Sequence, residues 1–208
     1  MSATGLAVRK PGALMKELRV RTATLHAATE ALPLMRNLMA PEVDAATYRA
    51  YLGAFARPYG LLEPHLHACC RSSTLNRLGV RARWPALEQD LAALGMESPS
   101  PPPAHAKQLS DLVGNEAQAL GGLYVLEGAS LGGRVISQRL SRNLGAEADR
   151  LPFHFLGTRE APSPADGWRR FGAALEAEVT TQQHDTEQVL AAAVAVFDLV
   201  HRSLDGNS

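Results

Sequence analysis

Arg19, His26 and Glu30 stand seven and four residues apart within a run of good helix formers. With Leu14 set at zero and about 100° per residue, they fall at about 140°, 120° and 160°. Leu18 and Leu25 fall at about 40° and 20°, so the three polar residues line one edge of an apolar face. Arg19 and His26 are then roughly 10 Å apart along the axis. An imidazole beside apolar surface, two turns from a guanidinium, suits an anionic, planar, metal-containing ligand. The histidine would ligate the metal, the arginine would meet a carboxylate, and Glu30 would orient the imidazole. A packed, hydrogen-bonded histidine at a core edge is the plainer alternative, and the residues alone leave both open.

The remaining histidines carry less. His65 and His67 follow Pro64 in an HxH pattern without a third ligand. His154 lies in a loop between Phe153 and Phe155 and is the next candidate for a metal. His105, His184 and His201 stand among polar neighbours and read as solvated. The only cysteines, Cys69 and Cys70, are adjacent, which disfavours a bridge and lacks zinc spacing. A reducing compartment follows.

A second chemical signal is "LYVLEGASLGGRVISQRL", residues 123–140. It reads as one amphipathic helix weakened by Gly128, Gly132 and Gly133, each costing about 1 kcal/mol against alanine. A phosphate loop is excluded, because no strand precedes the glycines and Arg134-Val135 replaces the Lys-Ser/Thr it needs. Two explanations remain: close helix–helix packing through small residues, or a bent helix stripped of side chains so that a flat ligand can lie against its backbone. A histidine helix facing a glycine helix would leave a slot one haem thick.

Helical periodicity dominates the elements that must position these residues. A first helix is expected over roughly 12–32, with Leu14, Leu18, Leu25 and Leu32 on its buried stripe. A second covers about 45–69 and is kinked or ended by Pro58 and Pro64. A short helix spans 85–94, followed by the loop "SPSPPPA" at 98–104. Helix resumes near 106 and continues through the glycines to Asn143, with Gly145 as the stop. After "LPFHFLG", helices follow at about 164–180 and 183–204. Neither side of the proline-rich loop has a complete core, so one all-α domain over 1–208 is expected, with 1–11 and 205–208 as flexible tails.

Hydrophobic residues make up 46% of the 208 and charged residues 20%, which suits a soluble globular protein. Basic and acidic residues balance at 21 each, which argues against a nucleic-acid partner. No signal peptide or membrane span is evident, so a soluble, cytoplasmic, monomeric protein is the expectation. Residues 1–21 nevertheless hold Arg9, Lys10, Lys16, Arg19 and Arg21 against Glu17 alone, a local net of +4. This is either a solvated basic helix or an electrostatic guide for an acidic partner.

Four stretches together resemble the haem oxygenases, especially the bacterial biliverdin-forming branch. "LRVRTATLHAATEAL" (18–32) is similar to that family's proximal helix, with His26 at the iron-ligand position and Glu30 one turn on. "PALEQDLAALG" (85–95) resembles a segment common among members. "LYVLEGASLGGRVI" (123–136) is similar to the distal helix that bends over haem. "GWRRFGAALEAEV" (167–179) resembles a later helix whose arginine, here Arg169, meets a haem propionate.

The resemblance implies an all-helical, single-domain, monomeric oxidoreductase with haem sandwiched between a proximal and a kinked distal helix. Haem would be both substrate and cofactor, with its iron held by His26 and dioxygen bound opposite. The ring would open to biliverdin, carbon monoxide and ferrous iron, with electrons from a reductase, ferredoxin or flavodoxin. Gly128, Gly132 and Ser130 would shape the distal face; Arg19, His26, Glu30, Gly133 and Arg169 would hold the haem. One departure stands out: Ala129 follows the first distal glycine, where the best-known members carry an aspartate that organises proton-delivering water. Backbone groups, Ser130 or Arg134 would then support that water. The alternative function is a haem-binding or carrier protein of the same fold that leaves its ligand intact.

Overall fold

The computed structural model describes residues 12–100, 105–157 and 164–206. The expected tail at 1–11 lies outside the described residues, as do 207 and 208, whereas Asp205 still belongs to the last helix. Every regular element among the described residues is helical. They run α1 (Ala13–Glu30), α2 (Pro33–Leu38), α3 (Ala45–Arg57), α4 (Glu63–Cys69), α5 (Ser72–Leu78) and α6 (Trp84–Ala93). Then follow α7 (His105–Leu112), α8 (Glu116–Ala129), α9 (Gly133–Leu144), α10 (Pro164–Thr181) and α11 (Thr186–Asp205).

Local chemistry sets most of the boundaries. Asp44, Asn115 and Asp185 accept backbone N–H groups at the starts of α3, α8 and α11. α1 has no such cap of its own. Glu176 of α10 supplies one instead, accepting from Gly12 N at 2.5 Å and Leu14 N at 2.9 Å. Pro33 ends the expected first helix early by opening α2. Pro58 lacks an N–H, and the chain widens there into a π turn, Pro58–Leu62, in which Glu63 N–H reaches the Pro58 carbonyl.

α8 is the centre of the molecule, and each residue from Leu120 to Leu126 is buried. Gly121 and Gly122 make this possible. A Cβ at Gly121 would overlap the Val189 carbonyl oxygen of α11, and one at Gly122 would lie 2.6 Å from Leu66 of α4. The expected continuous helix from 106 to 143 is interrupted at both ends of α8, at 113–115 and at the 3-10 turn Ser130–Gly132. α5, absent from the sequence-based expectation, ties α8 to α10. Arg71 at its start pairs with Glu116 at 2.9 Å, its Arg77 pairs with Glu178 at 2.7 Å, and its Thr74 hydroxyl lies 2.7 Å and 3.0 Å from the two carboxylates.

Candidate functional site

Leu14 and Leu18 of α1 are buried as the apolar stripe requires, but Leu25 is only half-buried. Beside it, the polar edge is open: the His26 side chain is 61% exposed. Its Nδ1 lies 3.5 Å from Glu30 Oε2, and its ring meets the edge of Phe197 at 6.0 Å. With Nδ1 turned to a carboxylate, Nε2 is the nitrogen left to bind a ligand. One turn earlier, buried Thr22 returns its hydroxyl proton to the Leu18 carbonyl and also contacts the Tyr124 hydroxyl of α8. Burial raises the Tyr124 phenol pKa, an effect opposed by the Thr22 hydrogen bond and the Arg19 charge. Arg19 and Thr22 thus lie beside Tyr124 of α8, whereas His26, one turn further on, meets Phe197 of α11.

There the α-helix gives way. Ser130–Gly132 form a single 3-10 turn before α9 begins. Ser130 N–H bonds the carbonyl of Glu127, three residues back, and Ser130 Oγ donates to the same oxygen at 2.6 Å. The hydroxyl proton is therefore committed, and Ser130 can offer a passing water only its lone pairs.

The three glycines of this bend have different surroundings. Gly133 faces the main chain of Leu156: a Cβ would lie 3.0 Å from its carbonyl oxygen and 3.4 Å from its Cα. Close packing against Leu156 accounts for that glycine without a ligand. At Gly128 a Cβ would touch the Trp168 ring at 3.4 Å. At Gly132 it would meet, among the described residues, only Ile136 Cδ1 of the helix that follows, at 3.7 Å. Gly132 also has ordinary helical dihedrals, φ −68° and ψ −23°. Neither backbone strain nor packing among the described residues calls for a glycine there.

α10 packs beside the end of α8 and the 3-10 turn. Trp168 stacks on Phe171 at 5.5 Å and tilts against Tyr124 at 5.4 Å. Arg169 is the next residue, with its side chain 73% exposed and paired to Asp166 one turn back.

The family model described as Heme oxygenase matches residues 12–205. The chain belongs to the haem oxygenase family. A curated heme oxygenase from Xanthomonas campestris pv. campestris (strain 8004) is 33% identical over 173 residues, covering 82% of this chain and 96% of that protein. The fold superposes on a heme oxygenase from Leptospira interrogans with a TM-score of 0.73 at 21% identity, covering 93% of this chain and 98% of that one. It superposes on the NO- and CO-bound heme oxygenase from Neisseria meningitidis with a TM-score of 0.62 at 20% identity, covering 94% and 93%. The all-α haem oxygenase fold expected from the sequence is the one observed. Among the described residues, no helix is long and apolar enough to cross a membrane.

Within this haem oxygenase fold, several histidines differ from expectation. His154 is bound to buried Asp90 through Nδ1 at 2.7 Å, which gives it a structural task. His201 is not merely solvated: its Nδ1 lies 3.0 Å from Thr29 Oγ1 and links α11 to α1. His184 Nε2 is buried without a hydrogen-bond partner. His65 Nε2 lies 2.7 Å from the Val113 carbonyl oxygen, and the His105 side chain lies outside the described residues.

Sequence reasoning also passed over Glu127. Its carboxyl lines a cavity of about 340 Å³ together with Arg81, Arg83, His154 and Phe155. Burial raises its pKa from 4.5 to about 6, against the opposing charge of Arg83. The folded state therefore holds this proton more tightly than the unfolded chain. Stability is full below about pH 4.5 and declines as pH rises through about 6. Glu127→Gln should then stabilise the protein by up to about 2 kcal/mol near neutral pH, with the gain vanishing near pH 4. Urea unfolding of both proteins across that range measures the difference; a gain that does not vary with pH would refute the assignment.

Proposed function

We propose that the protein binds haem between α1 and the α8–α9 bend and cleaves it oxidatively to biliverdin, releasing carbon monoxide and ferrous iron. Gly132 carries this reading. It is a glycine that neither the backbone nor any described neighbouring residue requires, placed where the helix bends. A flat ligand lying on the helix backbone is what would need it.

His26 Nε2 would take the iron, with Glu30 holding Nδ1 and so fixing the ring orientation. Arg19 and Arg169 are exposed guanidinium groups suited to the haem carboxylates. Tyr124, Trp168 and Phe171 supply apolar and aromatic surface. Gly133 is assigned to packing. When bound, the haem iron supplies the dioxygen-binding and redox chemistry. Gly128 and Gly132 keep the distal surface low, which leaves height for a diatomic ligand and for water. Ala129 has no proton to give, so ordered water held by backbone groups and by the Ser130 lone pairs must carry protons inward.

Electrons come from outside the chain. Lys16 and Arg19 are exposed on α1, whereas Arg21 is paired with Glu187 at 3.1 Å; Arg9 and Lys10 lie outside the described residues. An acidic ferredoxin or flavodoxin would be steered to this patch.

A single-turnover experiment tests the reading: haemin is added, then a chemical reductant under air. Loss of the Soret band with appearance of biliverdin absorption is the expected result. Stable haem binding without bleaching would instead make the protein a carrier. With an acidic protein donor the rate should fall steeply as salt rises, because steering is screened beyond about 10 Å at 0.1 M. A small neutral reductant should show almost no salt dependence.

A further inference from the structure

The distal bend is not written into α8 and α9 alone. Tyr59, fully buried in the π turn, donates its hydroxyl to the Leu126 carbonyl at 2.8 Å. In an uninterrupted α-helix that carbonyl would accept from Ser130 N–H. Ser130 bonds Glu127 instead, and the 3-10 turn starts at that point.

The far side of the bend rests on a loop that is equally fixed. Asp90 of α6 is fully buried, and its carboxylate accepts from His154 N at 3.0 Å, His154 Nδ1 at 2.7 Å and Phe155 N at 2.9 Å. Arg83 donates to the Phe155 carbonyl at 3.3 Å, and Tyr48 donates to the Pro152 carbonyl at 2.8 Å. Arg83 is itself seated by buried Glu63, which accepts its backbone N–H at 2.9 Å. The Phe155 ring packs on Tyr59 at 4.8 Å, so the two supports touch each other. The next residue, Leu156, lies with its backbone against Gly133, where α9 begins.

We infer that Tyr59 and the Asp90-anchored loop at 152–157 form a brace that sets the bend of the distal helix, with Tyr59 and Asp90 acting as positioning residues. Tyr59 occupies the carbonyl released before the 3-10 turn, and Leu156 fixes where the helix restarts. Between those two points lie Ser130 and Gly132. The height of this backbone over the ligand is thereby set by residues that never touch it. The consequence for turnover rests on the proposed haem chemistry, whereas the brace itself does not.

Amide hydrogen exchange on the ligand-free protein is the test, with Tyr59→Phe as the conservative variant and Gly133→Ala as a second. In both, amides of residues 128–136 should exchange about tenfold faster, the effect of losing one buried contact. Amides of α11 should keep their wild-type protection. Haem-loaded Tyr59→Phe should then give an altered ratio of biliverdin isomers at nearly unchanged haem affinity. Wild-type exchange at 128–136 in both folded variants would overturn the brace. So would acceleration spread equally over α11, which would mean general destabilisation. Local acceleration in a protein that takes up no haem would leave the brace standing and remove the proposed function.

Discussion

A protein carrying Gly132→Leu should fold normally and form almost no biliverdin. Around Gly132 the structure offers a new side chain only Ile136 as a neighbour, so folding has little to lose. The helical dihedrals predict more. Gly132→Ala should raise stability by about 0.4–1 kcal/mol, because alanine narrows the unfolded ensemble and fits the native backbone. If haem lies on this turn as proposed, the same methyl group would intrude on the ligand side of the bend. Biliverdin per folded molecule should therefore drop in Gly132→Ala and fall by about two orders of magnitude in Gly132→Leu, comparable to other small displacements at a reacting centre. Melting temperature and biliverdin yield, measured on the same samples, separate stability from function. A stable Gly132→Leu protein with a normal yield would remove the ligand explanation for this glycine.

His26→Ala is the second large effect, and it should also spare the fold. The imidazole is 61% exposed and touches only the edges of its surroundings: Glu30 at 3.5 Å and the Phe197 ring at 6.0 Å among the described residues. The thermal stability of the ligand-free protein should change by no more than about 0.5 kcal/mol. Haem should still enter, since apolar burial dominates porphyrin affinity. Its iron spectrum should change, and turnover should fall at least about 100-fold, more than the loss of an orienting partner causes. Free imidazole should restore part of both. Glu30→Gln should weaken turnover far less, because it alters only the orientation of the ring. An unchanged spectrum in His26→Ala would move the ligand elsewhere, and His154, committed to Asp90, is a poor second choice.

Helix existence and the edge of α1 were legible because both depend on spacing along a single element. Arg19, His26 and Glu30 share an edge wherever that helix packs. The glycines show where such reading stops. Gly132 and Gly133 are adjacent and identical in type, yet one faces Leu156 and the other faces no neighbouring element. Only the position of a residue 23 places further along distinguishes them. His154 and His201 misled for the same reason, since their partners Asp90 and Thr29 lie far away in sequence. α5 was missed because a seven-residue helix has too few turns to show a period. The 3-10 turn was unreadable because a tyrosine hydroxyl from another element occupies the carbonyl that would have continued the α-helix.

The backbone contact between α8 and α11 at Gly121 makes that part of the fold stiff. Main chain meets main chain there, and close-packed cores resist gradual deformation. If haem binds as proposed, the distal wall would behave as a fixed jaw. Grip on a guest would then come from α1, whose open edge carries His26, and from α10, which holds Trp168 against Gly128. Altering the shape of the guest this fold accepts would accordingly begin with those two helices, leaving the wall untouched.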